Sequence, residues 1–219
     1  MPEPLKIFWR GLVNAYDAGL SIVLSNLFFL IFLMPAAIHP LLLILTLPWG
    51  IAGLFHTNYL LASGELVDFK TFFEGIKLYW WAGVRWTLVN GVVIFSLVFY
   101  FFLFVDRGEL WSTALLGLDL GILAFWVILQ FFLFPMMLIQ EKPAYLMALR
   151  NTLVFIMRWP RFSFTFLMPI IILVIASLYL PPLWIFLSMG LVAFLGSYAV
   201  YYRIESDRHP ELFSDPRQE

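Results

Sequence analysis

The sequence predicts an all-α, polytopic helical membrane protein, with about six transmembrane helices and two cytoplasmic amphipathic helices in one integral membrane domain over residues 1–219. Three observations predict it. Hydrophobic residues make up 63% of the chain and charged residues only 12%, where soluble domains have about 45–50% and about 25%. The apolar residues gather in six long stretches, each near the roughly 20 residues that cross a bilayer. The cations sort to one side: Lys6 and Arg10, then Lys70, Lys77 and Arg85, then Lys142, Arg150, Arg158 and Arg161, then Arg203, Arg208 and Arg217. Only Arg107 falls in the alternate connections. Positive charge stays on the cytoplasmic side, so both termini are expected there.

The spans follow in order. The first covers about 18–38 and ends in the uncharged turn Pro35–Pro40, where prolines stop a helix. It follows Lys6 and Arg10 as a signal peptide would, but it is long and no small-residue cleavage site opens onto a polar region, so it reads as a retained helix. The second span, about 41–62, carries Pro48-Trp49-Gly50 near its middle, and Ser63-Gly64 ends it. Residues 66–82 then repeat Phe69, Phe72, Phe73, Ile76 and Trp80 on one helical face, with Lys70, Glu74 and Lys77 opposite. Asp68 is placed to cap that helix. Its apolar face suits either the headgroup plane or the inner ends of neighbouring helices, and amphipathicity does not separate the two. The third span is about 83–105. Asp106 and Arg107 mark the outer side, and residues 110–119 are expected at the outer surface, with Asp119 near the interface, ahead of a fourth span at about 120–139. A second cytoplasmic helix opens at Pro143 and runs through 158. The fifth and sixth spans cover about 162–180 and 183–202, joined by Pro181-Pro182, and a polar tail follows from Asp207.

The chemistry expected of such a chain is narrow. There is no cysteine, hence no disulfide, thiolate nucleophile or Cys-ligated metal. His39, His56 and His209 fall at an outer turn, within a span and in the tail, so they share no metal. No His-Glu-x-x-His, glycine-rich phosphate loop or nucleophile elbow is present. The expectation is a protein that is not an enzyme and uses no cofactor. A net charge of −1 with dispersed cations gives no nucleic-acid track.

What remains is polar residues inside the spans: Asn26, His56, Asn58, Asn90 and Gln130. They are the candidate ligand-facing cluster, an inward-facing vestibule for a small hydrophilic molecule. The competing reading makes them hydrogen bonds that hold helices together. The Lys70, Glu74 and Lys77 face is the candidate surface for docking a partner. Trp80, Trp81, Trp86, Trp159, Tyr198, Tyr201 and Tyr202 fit the aromatic belt of a membrane interface.

Several short segments carry a resemblance. They are Phe32-Leu33-Met34-Pro35-Ala36, Leu54-Phe55, Gly64-Glu65, Asp68-Phe69, Phe72-Phe73 and Lys77. With the overall plan of several spans, they make the chain resemble the YesL-like family, bacterial integral membrane proteins classed as a domain of unknown function. The resemblance implies residence in the bacterial cytoplasmic membrane and a role near sugar import. It transfers no catalytic or binding residue. The functional expectation is a non-enzymatic accessory component of carbohydrate uptake, whose partners are the bilayer and transporter subunits or a second copy of itself. The alternative is a small autonomous transporter or channel for a hydrophilic solute.

Overall fold

A computed structural model of the chain describes residues 3–107, 109–180, 182 and 187–208. Among them the order is α1 (Glu3–Asp17), α2 (Gly19–Leu33), a 3-10 turn (Met34–Ala37), α3 (Leu42–Ala62), α4 (Phe69–Phe104), α5 (Leu110–Leu138), α6 (Tyr145–Arg158), α7 (Pro160–Tyr179) and α8 (Met189–Arg208). No strand occurs among the described residues, so the all-α class is observed. Four segments are long and apolar enough to cross a membrane: Gly19–Ala37, Phe69–Phe104, Leu110–Leu138 and Pro160–Ser177. Large apolar side chains such as Phe95, Phe99, Phe102 and Ile172 stand exposed along them, surface that water would not tolerate at this extent. Pro181, the start of the expected sixth span at 183–186, and His209 and Arg217 of the tail lie outside the described residues.

The packing centres on α3, which lies against α2, α4 and α8. From Gly50 to Asn58 every α3 residue is buried. A helix enclosed on all sides need not be apolar throughout. That is why α3 can carry His56, Thr57 and Asn58, and why it is not among the four most lipid-compatible helices. The meeting of α3 and α4 depends on small residues. A Cβ added at Gly83 would lie 2.2 Å from the Pro48 carbonyl oxygen, and one at Gly75 would lie 2.6 Å from the His56 Cβ. These pairs run in opposite senses along the two chains, as an antiparallel contact requires, and the missing Cβ atoms let the backbones approach. Phe132, Phe134, Phe155, Phe166 and Phe194 are fully buried and fill the remaining space between helices.

Two boundaries are corrected. The amphipathic segment expected at 66–82 and the span expected at 83–105 are one continuous helix of 36 residues. Residues 79–86 contain no proline, and a single Gly83 costs only about 1 kcal/mol, too little to break a helix packed along a neighbour. At 1.5 Å per residue α4 is about 54 Å long, longer than a hydrocarbon core of roughly 30 Å. Of its first turns, Thr71, Phe72 and Gly75 are buried and the added Cβ of Gly53 on α3 would touch the Phe72 ring. The partner of this part of the amphipathic face is therefore protein, while Phe69, Phe73 and Trp80 stay exposed. Likewise residues 110–119 are continuous with the span expected at 120–139, forming the first turns of α5. Asp119 lies nine residues into that helix, about 14 Å along it. There it borders apolar cavities with Leu97 of α4.

Asp68 caps α4. One carboxylate oxygen accepts from the Lys70 and Thr71 N–H groups at 2.9 and 3.0 Å, and the Thr71 hydroxyl accepts from the Asp68 N–H at 3.1 Å. The backbone N–H of Thr71, first among these, holds the Asp68 carboxyl below its ordinary range. A depressed carboxyl stabilises the fold above its unfolded value, and that contribution fades as pH falls through the folded one. Amide exchange in residues 69–75 is therefore expected to accelerate, beyond its intrinsic change, only below the usual carboxylate range. Asp68→Ala is expected to show the faster exchange already at neutral pH, and equal protection in both proteins at neutral pH would contradict the cap's role.

The first helix had no counterpart among the expected elements. In α1, Ile7, Phe8, Gly11 and Ala15 are buried and the helix packs on α7 and α8, with Phe8 edge-on to Phe166 at 5.3 Å. The recurrence of Ile7, Gly11 and Ala15 every four residues was the available signal.

Candidate functional site

Each candidate polar residue inside the bundle has a local explanation. Asn26 is fully buried on α2, and its side-chain oxygen accepts from the Gly190 N–H of α8 at 2.9 Å. Asn58 donates to Ser25 of α2 at 3.0 Å and to the Leu54 carbonyl of its own helix at 2.8 Å. Asn90 joins three groups: its amide donates to Gln130 at 3.0 Å and to the Trp86 carbonyl at 2.8 Å, and its oxygen accepts from the Trp126 indole at 2.9 Å. His56 lies against Gly75, with its ring 5.3 Å from that of Tyr79. The structure thus brings Asn90 and Gln130 together and leaves Asn26, His56 and Asn58 at separate contacts. None of the five lines the cavity between α1, the end of α3 and α8.

At the α4–α5–α6 junction the pairing is incomplete. The Gln130 amide nitrogen and the Tyr145 hydroxyl are buried without completing a hydrogen bond. Burial pushes the Tyr145 hydroxyl above its ordinary value, with the neighbouring Gln130 acting in the opposite direction. Arg85 reaches the same region, donating to the Pro143 carbonyl at 3.2 Å.

A polar cavity lies elsewhere, lined by other residues. A cavity of about 730 Å³ opens where α1, the end of α3 and α8 meet. Arg10, Asn14 and Asp17 reach it from one face of α1, at the i, i+4, i+7 spacing that aligns side chains on a helix. Tyr198, Tyr201 and Tyr202 line it from α8, and Ser63 and Glu65 from the loop after α3. That loop turns sharply because Gly64 takes φ +84°, the left-handed conformation open to glycine. The Gly64 and Glu65 N–H groups then close the helix end on the Leu61 and Leu60 carbonyls at 3.1 and 2.9 Å. Carboxylates, a guanidinium, amides and phenol rings around one space can hydrogen-bond and stack on a small polyhydroxylated molecule. Sequence reasoning looked for this site within the spans and missed α1, whose polar face supplies Arg10, Asn14 and Asp17.

Lys70, Glu74 and Lys77 are all exposed on α4 and enter no ion pair among the described residues. No group of three or more His, Asp or Glu side chains among the described residues could hold a metal ion. No family model, curated protein or solved structure matches the chain.

Proposed function

We propose that this chain is a six-span protein of the bacterial cytoplasmic membrane, with both termini cytoplasmic, serving as a non-enzymatic accessory component of carbohydrate uptake. The observation that carries the accessory reading is the use made of the polar residues. Those in the interior bond one helix to another, whereas the charged face of α4 is exposed and enters no ion pair among the described residues. Interhelical hydrogen bonds of this kind fix a bundle and offer no wet path through it, while an exposed charged face steers association with a complementary surface. Six crossings arise by adding α3 and α8 to the four most apolar helices. The asymmetry of Lys and Arg supports the orientation, and the resemblance to the YesL-like family supports the sugar-uptake context.

The test is purification of the tagged full chain from its native membrane in mild detergent. Transporter subunits are expected at fixed stoichiometry with the wild type and to be lost from a Lys70→Glu/Lys77→Glu variant that still purifies as folded protein. Recovery of the chain alone, or only with itself, would overturn the accessory reading.

One observation favours a second reading, an autonomous protein handling a small hydrophilic solute: the 730 Å³ vestibule of Arg10, Asp17, Glu65 and the α8 tyrosines. In that case Arg10→Ala is expected to abolish solute binding or flux in proteoliposomes, while the α4 charge reversals leave it intact.

A further inference from the structure

Another cavity, of about 320 Å³, lies where the start of α7 meets α1 and the end of α8, and nothing in the proposed function uses it. Arg158, Arg161 and Arg203 all line it. The Arg158 and Arg203 guanidiniums lie 4.7 and 4.8 Å from the ring of one tryptophan, Trp159. Two cations gathered at one indole repel each other. Asp207 offsets part of that, 3.7 Å from Arg158 and 3.4 Å from Arg203, and Glu3 lies 3.9 Å from Arg203. Three guanidiniums against two carboxylates leave an excess of one positive charge among the described residues. The Arg203 Nε is buried with no hydrogen-bond acceptor, and Arg161 is exposed with no ion pair among the described residues.

The helix end adds donors to the charge. Pro160 is the first residue of the 20-residue α7, and no side chain caps its first turn. The Ser163 N–H is already bonded to the Trp159 carbonyl, so the first-turn N–H groups of Arg161 and Phe162, both at the cavity, have no acceptor within the helix. Guanidinium forks together with first-turn N–H groups recognise a tetrahedral oxyanion. The surroundings specify what carries that anion. From Arg161 an exposed apolar row runs down α7 through Phe164, Met168, Ile172 and Ile175, at the spacing that keeps residues on one helical face. A free phosphate would have no use for it; acyl chains would lie along it.

We propose that this cavity binds the phosphate of an anionic phospholipid, with the acyl chains on the Phe164–Ile175 row. The phosphate takes charge-assisted hydrogen bonds from Arg158 and Arg161, and Trp159 holds the site at headgroup level. Anionic lipid would then join α1, α7 and α8 beside the Glu3–Arg203 ion pair.

Native mass spectrometry of the full-length protein in detergent tests this with three probes: phosphatidylglycerol, phosphatidylcholine of the same acyl chains, and inorganic phosphate. Both lipids offer the same phosphate oxygens, but the excess positive charge of the cavity disfavours the choline cation, so phosphatidylglycerol is expected to be retained about tenfold better than phosphatidylcholine. Arg161→Gln is expected to remove most of that preference, whereas Arg150→Gln, a cation of α6 outside the cavity, leaves it unchanged. Equal retention of the two lipids would overturn the proposal. Preferential binding of inorganic phosphate without a lipid preference would overturn the lipid assignment and identify a site for soluble phosphate compounds. Should Arg161→Gln fail to fold, the three-probe comparison on the wild type decides alone.

Discussion

Replacing Gly83 by valine is expected to prevent α4 from seating on α3 and to give the largest loss of stability of any single change considered. A Cβ at this position would lie 2.2 Å from the Pro48 carbonyl oxygen and 3.2 Å from the Pro48 Cα. The obstacle is backbone, so no side-chain rotation relieves it. Either the helices separate along their whole contact or α3 distorts at its proline. Overpacking a core costs about 1–3 kcal/mol and occasionally more, and this contact warrants about 3 kcal/mol. Gly91→Val supplies the comparison on the same helix, since nothing lies within 4 Å of a Cβ added there. Unfolding in detergent, followed by thermal or denaturant titration, should show the Gly83 variant strongly destabilised and the Gly91 variant close to wild type. Equal behaviour of the two would contradict the close α3–α4 approach.

The second large effect is expected at Asn90. Asn90→Leu removes the bonds to Gln130 and Trp126 together and leaves the half-buried Gln130 amide oxygen and Trp126 indole N–H without these partners. Interhelical hydrogen bonds in membranes average about 0.6 kcal/mol and reach about 1.7, and each stranded group adds a desolvation penalty of roughly 1–3 kcal/mol. A loss of about 2 kcal/mol follows once part of that penalty is relieved by rearrangement. Ser96→Ala, which removes only a bond to the Val92 carbonyl of its own helix, should change little. If Asn90 instead lined a solute path, its replacement would abolish flux and leave stability intact. The pairing geometry predicts the reverse.

How much of this was legible depends on which part of the chain is considered. The apolar stretches at 18–38, 41–62 and 162–180 lie close to α2 with its 3-10 extension, α3 and α7, because proline and the Ser63-Gly64 pair punctuate them. The Asp68 cap was legible for the same reason: its chemistry is local. The joining of 66–82 to 83–105 was not. A change from amphipathic to wholly apolar character looks like a boundary in sequence, yet hydrogen bonding along a helix ignores that change when no residue interrupts it. The candidate site divides in the same way. Polar residues within spans can be found by inspection, but which of them pair depends on neighbours 33, 40 or 164 positions away.

The sequence by itself determined that this is a helical protein made for a membrane, and its Lys and Arg distribution set the expected orientation. Those properties follow from composition and from interactions within a few residues of each other. Only the tertiary structure decided which groups Asn26, Asn58, Asn90 and Gln130 bond on neighbouring helices. It also decided that the polar cavity belongs to α1, the end of α3 and the tyrosines of α8. A buried amide satisfies its hydrogen bonds with whichever groups the packing brings within about 3 Å. That choice is made by helix approach at positions such as Gly75 and Gly83, and no local pattern in the chain encodes it.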